Sequence, residues 1–167
     1  FRHWLKAAQA GHVRAMFYVG VCYEHGLGTK RDLRSAIRWY RKAAEAGHPE
    51  SQHNMAFSYR EGDGVRKDLK LAVFWLKKAA NQGDMEAQRD LGYAFHEGQG
   101  VRKDYKKAVF WYRKAAKAGD AMAQWNLACC YKDGDGVKES LRWRRHWLRK
   151  AANQGHRKAK RRFRQIE

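Results

Sequence analysis

Cysteine is scarce and carries no pattern. Cys22, Cys129 and Cys130 include an adjacent pair but no CxxC and no spaced framework, so neither a zinc site nor a disulfide scaffold is indicated. Their scarcity gives a preference for a reducing, intracellular compartment. Acidic residues are also few: 17 Asp+Glu stand against 36 Lys+Arg, a net charge of +19. An excess of that sign and size raises nucleic acid, an acidic protein or an anionic membrane surface as partners. No apolar run reaches the roughly 20 residues that cross a bilayer. The chain opens with "FRHWLKAA", without Met and reading as mid-helix, so a piece of a longer array is expected.

What is present is enough to fold. Apolar residues make up 44% and aromatics 13% of 167 residues, too rich for a disordered segment and sufficient for a core. The charge is uneven: residues 138–167 hold 12 Lys/Arg and 2 Glu, more than half of the basic excess.

The dominant signal is a period. "GDGVRKD" at 62–68 returns as "GQGVRKD" at 98–104, with weaker copies "GLGTKRD" at 26–32 and "GDGVKES" at 134–140, each displaced by 36 residues. Trp39, Trp75, Trp111 and Trp147 keep the same spacing, as do Gly11, Gly47, Gly83, Gly119 and Gly155. Within one period, Ala72, Trp75, Leu76, Ala79 and Ala80 form the apolar stripe of an amphipathic helix, helix B. Asp32, Asp68, Asp104 and Ser140 stand where an N-cap is wanted. A second stripe, Ala87, Leu91, Gly92 and Phe95, marks helix A, which Asp84 and Asp120 can cap and which in one copy starts at Pro49, the single proline. Each GxG lies between two helices, with no strand before it and no GK[ST] after it, so an inter-helix turn is expected rather than a phosphate loop. Two helices per period mean a helical-hairpin solenoid, each unit stabilised by its neighbours. The expected boundaries are a partial repeat 1–11, repeats 12–47, 48–83, 84–119 and 120–155, and a final helix 156–167, all in one domain.

These residues carry a resemblance. Helix A supplies Ala, Leu-Gly and Tyr/Phe; then come G-x-G-V-x-x-D, A-x-x-W-Y-x-K-A-A and a closing Gly, nearly complete in "AQRDLGYAFHEGQGVRKDYKKAVFWYRKAAKAG". The pattern resembles the Sel-1-like repeat family, cousins of the tetratricopeptide repeat. The resemblance implies an all-α, right-handed α-solenoid with helix A lining a concave groove, and a non-catalytic scaffold or adaptor role. The paired cysteines of secreted members are missing. Ser140 replaces the recurring Asp, and Arg144 takes the register of Ala36, Ala72 and Ala108; an arginine there predicts a final hairpin that is irregular or covered by absent sequence.

Residues kept in every copy are expected to be core, and those that vary are expected to be free for recognition. The Trp series falls in the first class. The varying stripe of helix A supplies the candidate partner-binding residues: Arg14, Phe17 and Val21; His53, Phe57 and Arg60; Arg89, Tyr93 and His96; Trp125, Cys129 and Lys132; and Arg161. Trp125→Ala and Arg89→Glu are expected to weaken partner binding with the fold intact. A second candidate set, for polyanions, is Arg157, Lys158, Lys160, Arg161, Arg162 and Arg164.

Nothing in the sequence suggests chemistry. HExxH, GxSxG and a Cys/His signature are all absent, so no metal, no cofactor and no enzyme activity is expected. His12, His48 and His156 share the register of Asp84 and Asp120 and read as helix-start residues. Two function classes stay open: a scaffold that binds an acidic protein or peptide segment, placed first, and nucleic-acid or polyanion binding through the basic C-terminal end. Membrane binding ranks third, and self-association through cut repeat ends is open.

Overall fold

The computed structural model describes residues 1–166, and every regular element among them is a helix. In chain order these are α1 (Arg2–Gln9), α2 (Val13–His25), α3 (Leu33–Glu45), α4 (Pro49–Glu61), α5 (Leu69–Asn81), α6 (Met85–Glu97), α7 (Tyr105–Ala118), α8 (Ala121–Asp133), α9 (Leu141–Asn153) and α10 (Arg157–Arg164). Odd-numbered elements are the B helices and even-numbered ones the A helices. The chain divides into two compact units, Phe1–Asp84 and Met85 onward. Within each, every helix packs against its neighbours in sequence.

Capping explains where the helices start. The side chains of Asp32, Asp68, Asp104 and Ser140 each accept from backbone N–H groups of the first turn that follows. The Ser35 hydroxyl also donates to Asp32 at 2.6 Å, and that bond holds the Asp32 carboxyl below its ordinary pKa. At helix A starts the cap is a carboxylate or an imidazole: Asp120 accepts from the Ala123 N–H, His48 Nδ1 from that of Ser51, and His156 Nδ1 from that of Ala159. His12 makes no such bond.

The GxG pairs are turns. Gly26, Gly62 and Gly134 close their A helices in the left-handed conformation, where a side chain is strained. The second glycine meets a different demand. A Cβ on Gly136 would lie 2.3 Å from the Tyr105 carbonyl oxygen, so the turn is laid directly on the start of the preceding B helix.

The recurrent apolar residues form the interior. Val19, Met55, Leu91 and Leu127 are each fully buried, with small residues beside them at Ala15, Ser51, Ala87 and Ala123. Of the Trp series, Trp75 and Trp147 are buried, whereas Trp39 and Trp111 are half-buried. Each carries a lysine ammonium over its ring: Lys42, Lys78, Lys114 and Lys150 stand 4.7, 5.1, 4.9 and 5.5 Å from the respective centroids. Part of the basic excess therefore covers aromatic edges by cation–π contact.

Two features of the interior were not read from the sequence. Gln52 Nε2 donates to the Ala44 carbonyl at 3.0 Å while its Oε1 accepts from Gln82 at 2.8 Å. In the second unit Gln124 repeats both contacts, with Ala116 and Gln154. Each buried amide thus ties its A helix to the B helices on either side, satisfying polar groups that would be expensive to bury alone. The other feature is a paired substitution. A Cβ on Gly20 would lie 2.5 Å from Tyr40 Cε1, and one on Gly92 2.6 Å from Tyr112 Cδ1. In the alternate hairpins the same two registers hold Ala56 with Leu76 and Ala128 with Leu148, all buried.

Of the two alternatives expected for the final hairpin, irregularity is not what the structure has. α9 is a regular, capped helix of 13 residues despite Arg144. The Arg144 side chain is half-buried and lines an open cavity rather than the packed interior that Ala36, Ala72 and Ala108 occupy, and the helix stays regular around it.

Candidate functional site

The varying stripe is less free than its variation suggests. Phe17 on α2 packs against the His48 imidazole that caps α4, with ring centroids 4.8 Å apart. Trp125 on α8 stacks on His156, the cap of α10, at 5.2 Å and 21°. Arg89 on α6 occupies the same register and meets Asp120, the cap of α8, at 3.1 Å, as well as Asp90 at 2.9 Å. Both members of this contact change together, aromatic with imidazole and guanidinium with carboxylate. Burial and these acidic neighbours act on Arg89 in opposite senses; the carboxylates prevail and raise its pKa.

Other stripe residues are more open. In the first unit Phe57 is 44% exposed, with the Arg60 guanidinium 5.2 Å from its ring and bonded to Glu61 at 2.8 Å. Arg14 is exposed and lies 5.8 Å from the Tyr18 centroid, while Val21 and His53 are half-buried. In the second unit Tyr93 is 44% exposed. His96 is bridged to Glu97 at 2.7 Å and to Asp135 at 3.1 Å, and so is already engaged.

The two candidate sets meet between α8, α9 and α10. A cavity of about 520 Å³ opens there. From α8 come Trp125, Ala128, Cys129 and Lys132; from α9, Arg144 and Leu148; from α10, Arg157, Lys158, Arg161 and Arg162. Lys160 and Arg164 are exposed and do not line it. Six of the lining side chains are cationic, and none of the described ones is acidic. The floor is apolar: Ala128 and Leu148 are buried, and burial pushes the Cys129 thiol pKa up despite the nearby cations, so the sulfur is uncharged at neutral pH. Cys130 behind it is buried and pushed up to about 12. Neither thiol has the low pKa of a nucleophile.

A second cavity, also about 520 Å³, is lined by Arg142, Trp143, Arg145, His146 and Arg149 of α9 and by Phe163 of α10. Sequence reasoning missed this set. Its signal was the run "LRWRRHWLR" at 141–149, in which aromatic and basic residues alternate. Among the described residues no group of three or more His, Cys, Asp or Glu is placed to hold a metal ion. No described helix is long and apolar enough to cross a membrane.

The Sel1 repeat model matches residues 1–12, 13–48, 49–84, 86–120 and 121–156. The chain belongs to the Sel1 repeat family. Its fold class is the all-α solenoid of helical hairpins with a repeat near 36 residues. Among solved structures it is similar to c5321, a protective antigen of uropathogenic Escherichia coli strains with an SLR fold: 38% identity and a TM-score of 0.90 over 92% of this chain and 33% of that one. A Sel1 repeat protein of Oxalobacter formigenes is 37% identical, with a TM-score of 0.86 over 93% of this chain and 62% of that one. Mouse DAP3-binding cell death enhancer 1 is 51% identical over 37 residues, 22% of this chain and 7% of the mouse protein. The chain thus spans a third of the length of c5321 and far less of the mouse protein. Sel1 repeat proteins generally act as protein-interaction scaffolds, typically without catalysis.

Proposed function

We propose that this chain is a non-catalytic scaffold module that captures an acidic segment of a partner protein on the A-helix side of its second unit. The observation that carries this reading is the α8–α9–α10 cavity, where an indole and an apolar floor adjoin six cationic side chains without a lining carboxylate. Aromatic and aliphatic contact supplies buried area, the arginines supply charge-assisted hydrogen bonds, and the surrounding positive field speeds encounter and excludes basic partners. In this reading Trp125, Lys132 and Arg161 are contact residues. Arg89 and His96 are positioning residues, since their polar atoms are engaged by Asp120, Asp90, Glu97 and Asp135.

The test is titration of a labelled acidic peptide against the chain, with a basic peptide of equal length as control. The reading expects binding by the acidic peptide alone and its loss in Trp125→Ala. Equal binding of both peptides, or none, contradicts it.

A different observation favours a second reading, polyanion binding. The cavity beside Trp143 and Phe163 adds four arginine or histidine side chains to the same terminal hairpin, and cations interleaved with aromatic platforms suit phosphate contact with base stacking. In this reading affinity for RNA or DNA falls steeply with salt and depends on Arg142, Arg145 and Trp143.

A further inference from the structure

Arg144 is a residue that the scaffold does not require. In the other hairpins its register holds Ala36, Ala72 and Ala108, exposed by 1, 3 and 0%. Arg144 itself is half-buried, and among the described residues no carboxylate pairs with its guanidinium. A partly desolvated cation without a counter-charge is unfavourable unless water or a ligand supplies one. The side chain therefore spends stability on something other than stacking. It opens onto the cavity beside Arg161 and Arg162, over a floor made by Ala128, Leu148 and the uncharged Cys129.

We propose that this cavity receives a phosphorylated tyrosine of the partner segment, with Arg144, Arg161 and Arg162 taking the phosphate and the ring lying against Trp125 and Leu148. The proposal rests on the reading of this face as a peptide-binding one and names what that peptide must carry. Three considerations select the ligand. Against the three arginines assigned to it, a carboxylate's single charge leaves two uncompensated, whereas a phosphomonoester brings close to two charges and three strong acceptor oxygens. Arginine forks match phosphate oxygens in bidentate geometry, and four of the six lining cations are arginines. A cavity of about 520 Å³ with an apolar floor is far larger than a phosphate needs and has room for an aromatic ring.

Isothermal titration at roughly 150 mM salt with four peptides of one acidic sequence, differing at one position as phosphotyrosine, tyrosine, phosphoserine or glutamate, tests this. The phosphotyrosine peptide is expected to bind about tenfold or more tightly than the tyrosine peptide, and the phosphoserine peptide to gain less. Arg144→Ala removes that gain while its melting temperature stays at or above that of the parent, because alanine is the residue the other hairpins use. Arg161→Ala is a second, independent loss. A phosphotyrosine peptide no tighter than the others, all still dependent on Trp125, overturns this inference and leaves the peptide-binding reading standing. No binding by any of the four overturns both. A gain that survives Arg144→Ala and Arg161→Ala, or a phosphoserine peptide equal to the phosphotyrosine one, overturns the site as described.

Discussion

The Arg89 guanidinium lies 3.1 Å from the carboxylate of Asp120, the residue that caps the next A helix. In two other hairpins the same pair of registers holds Phe17 with His48 and Trp125 with His156, each in ring contact. Arg89→Glu is therefore not neutral for folding. It sets a second carboxylate against a 7%-exposed Asp120 and should lower stability by about 1–3 kcal/mol, discounted for the quarter of Arg89 that reaches water. Chemical denaturation measures the loss. The double variant Arg89→Trp with Asp120→His, which borrows the Trp125–His156 pair, should be more stable than the sum of its single changes implies; strict additivity would show the registers to be uncoupled.

A second coupled pair yields a cleaner cycle. Gly92→Ala places a Cβ 2.6 Å from the Tyr112 ring and should cost about 1–3 kcal/mol through overpacking. Adding Tyr112→Leu reproduces the Ala128 and Leu148 combination of the next hairpin and should recover most of that loss. Thermal denaturation of the four proteins checks it; a double variant as weak as Gly92→Ala refutes the pairing.

These two pairs also show what the sequence could reveal. The period, the caps, the turn glycines and the buried small residues were legible, because each copy repeats one local requirement. The variable registers were not. Variation from Phe17 to Arg89 to Trp125 looked like freedom for recognition, when it is matched by His48, Asp120 and His156 across the gap between helices. A search for changes that travel together, 31 residues apart for the caps and 20 for the Gly–Tyr pairs, would have exposed both. The cavity was half legible: Trp125, Cys129, Lys132 and Arg161 were placed on one stripe, but only folding sets them against Arg144 and the α10 cations.

Trp75 is 7% exposed in the interior of the first unit. Trp75→Ala should cost about 3–5 kcal/mol, as large core truncations do. Guanidinium titration followed by circular dichroism reads this directly, and an unchanged midpoint would remove the Trp series from the core.

Stability should decline on mild acidification. His48 and His156 accept hydrogen bonds at Nδ1 as helix caps, which requires the neutral ring. Burial is the leading cause holding both below their ordinary value of 6.5; Arg14 acts with burial and Glu50 against it at His48, and Lys158 with it and Asp120 against it at His156. A depressed folded pKa leaves the full contribution in place above pH 6.5 and loses it as pH falls through the folded values. The lowered Asp32 and Asp104 carboxyls titrate below 3.8, outside this window. Melting temperatures between about pH 7.5 and 5.5 should therefore fall for the parent chain, and fall less for His48→Asp with His156→Asp. Parallel curves would contradict the capping role.

In the proposed reading the second unit grips an acidic protein segment through the cavity under Trp125. Fluorescence anisotropy tests it most directly, with a labelled acidic peptide and a charge-matched single-stranded nucleic acid, each titrated with parent and Trp125→Ala chains at roughly 150 mM salt. Peptide binding that exceeds nucleic-acid binding and disappears in Trp125→Ala is the predicted result. Nucleic acid bound in preference, or peptide bound equally by both chains, would contradict it.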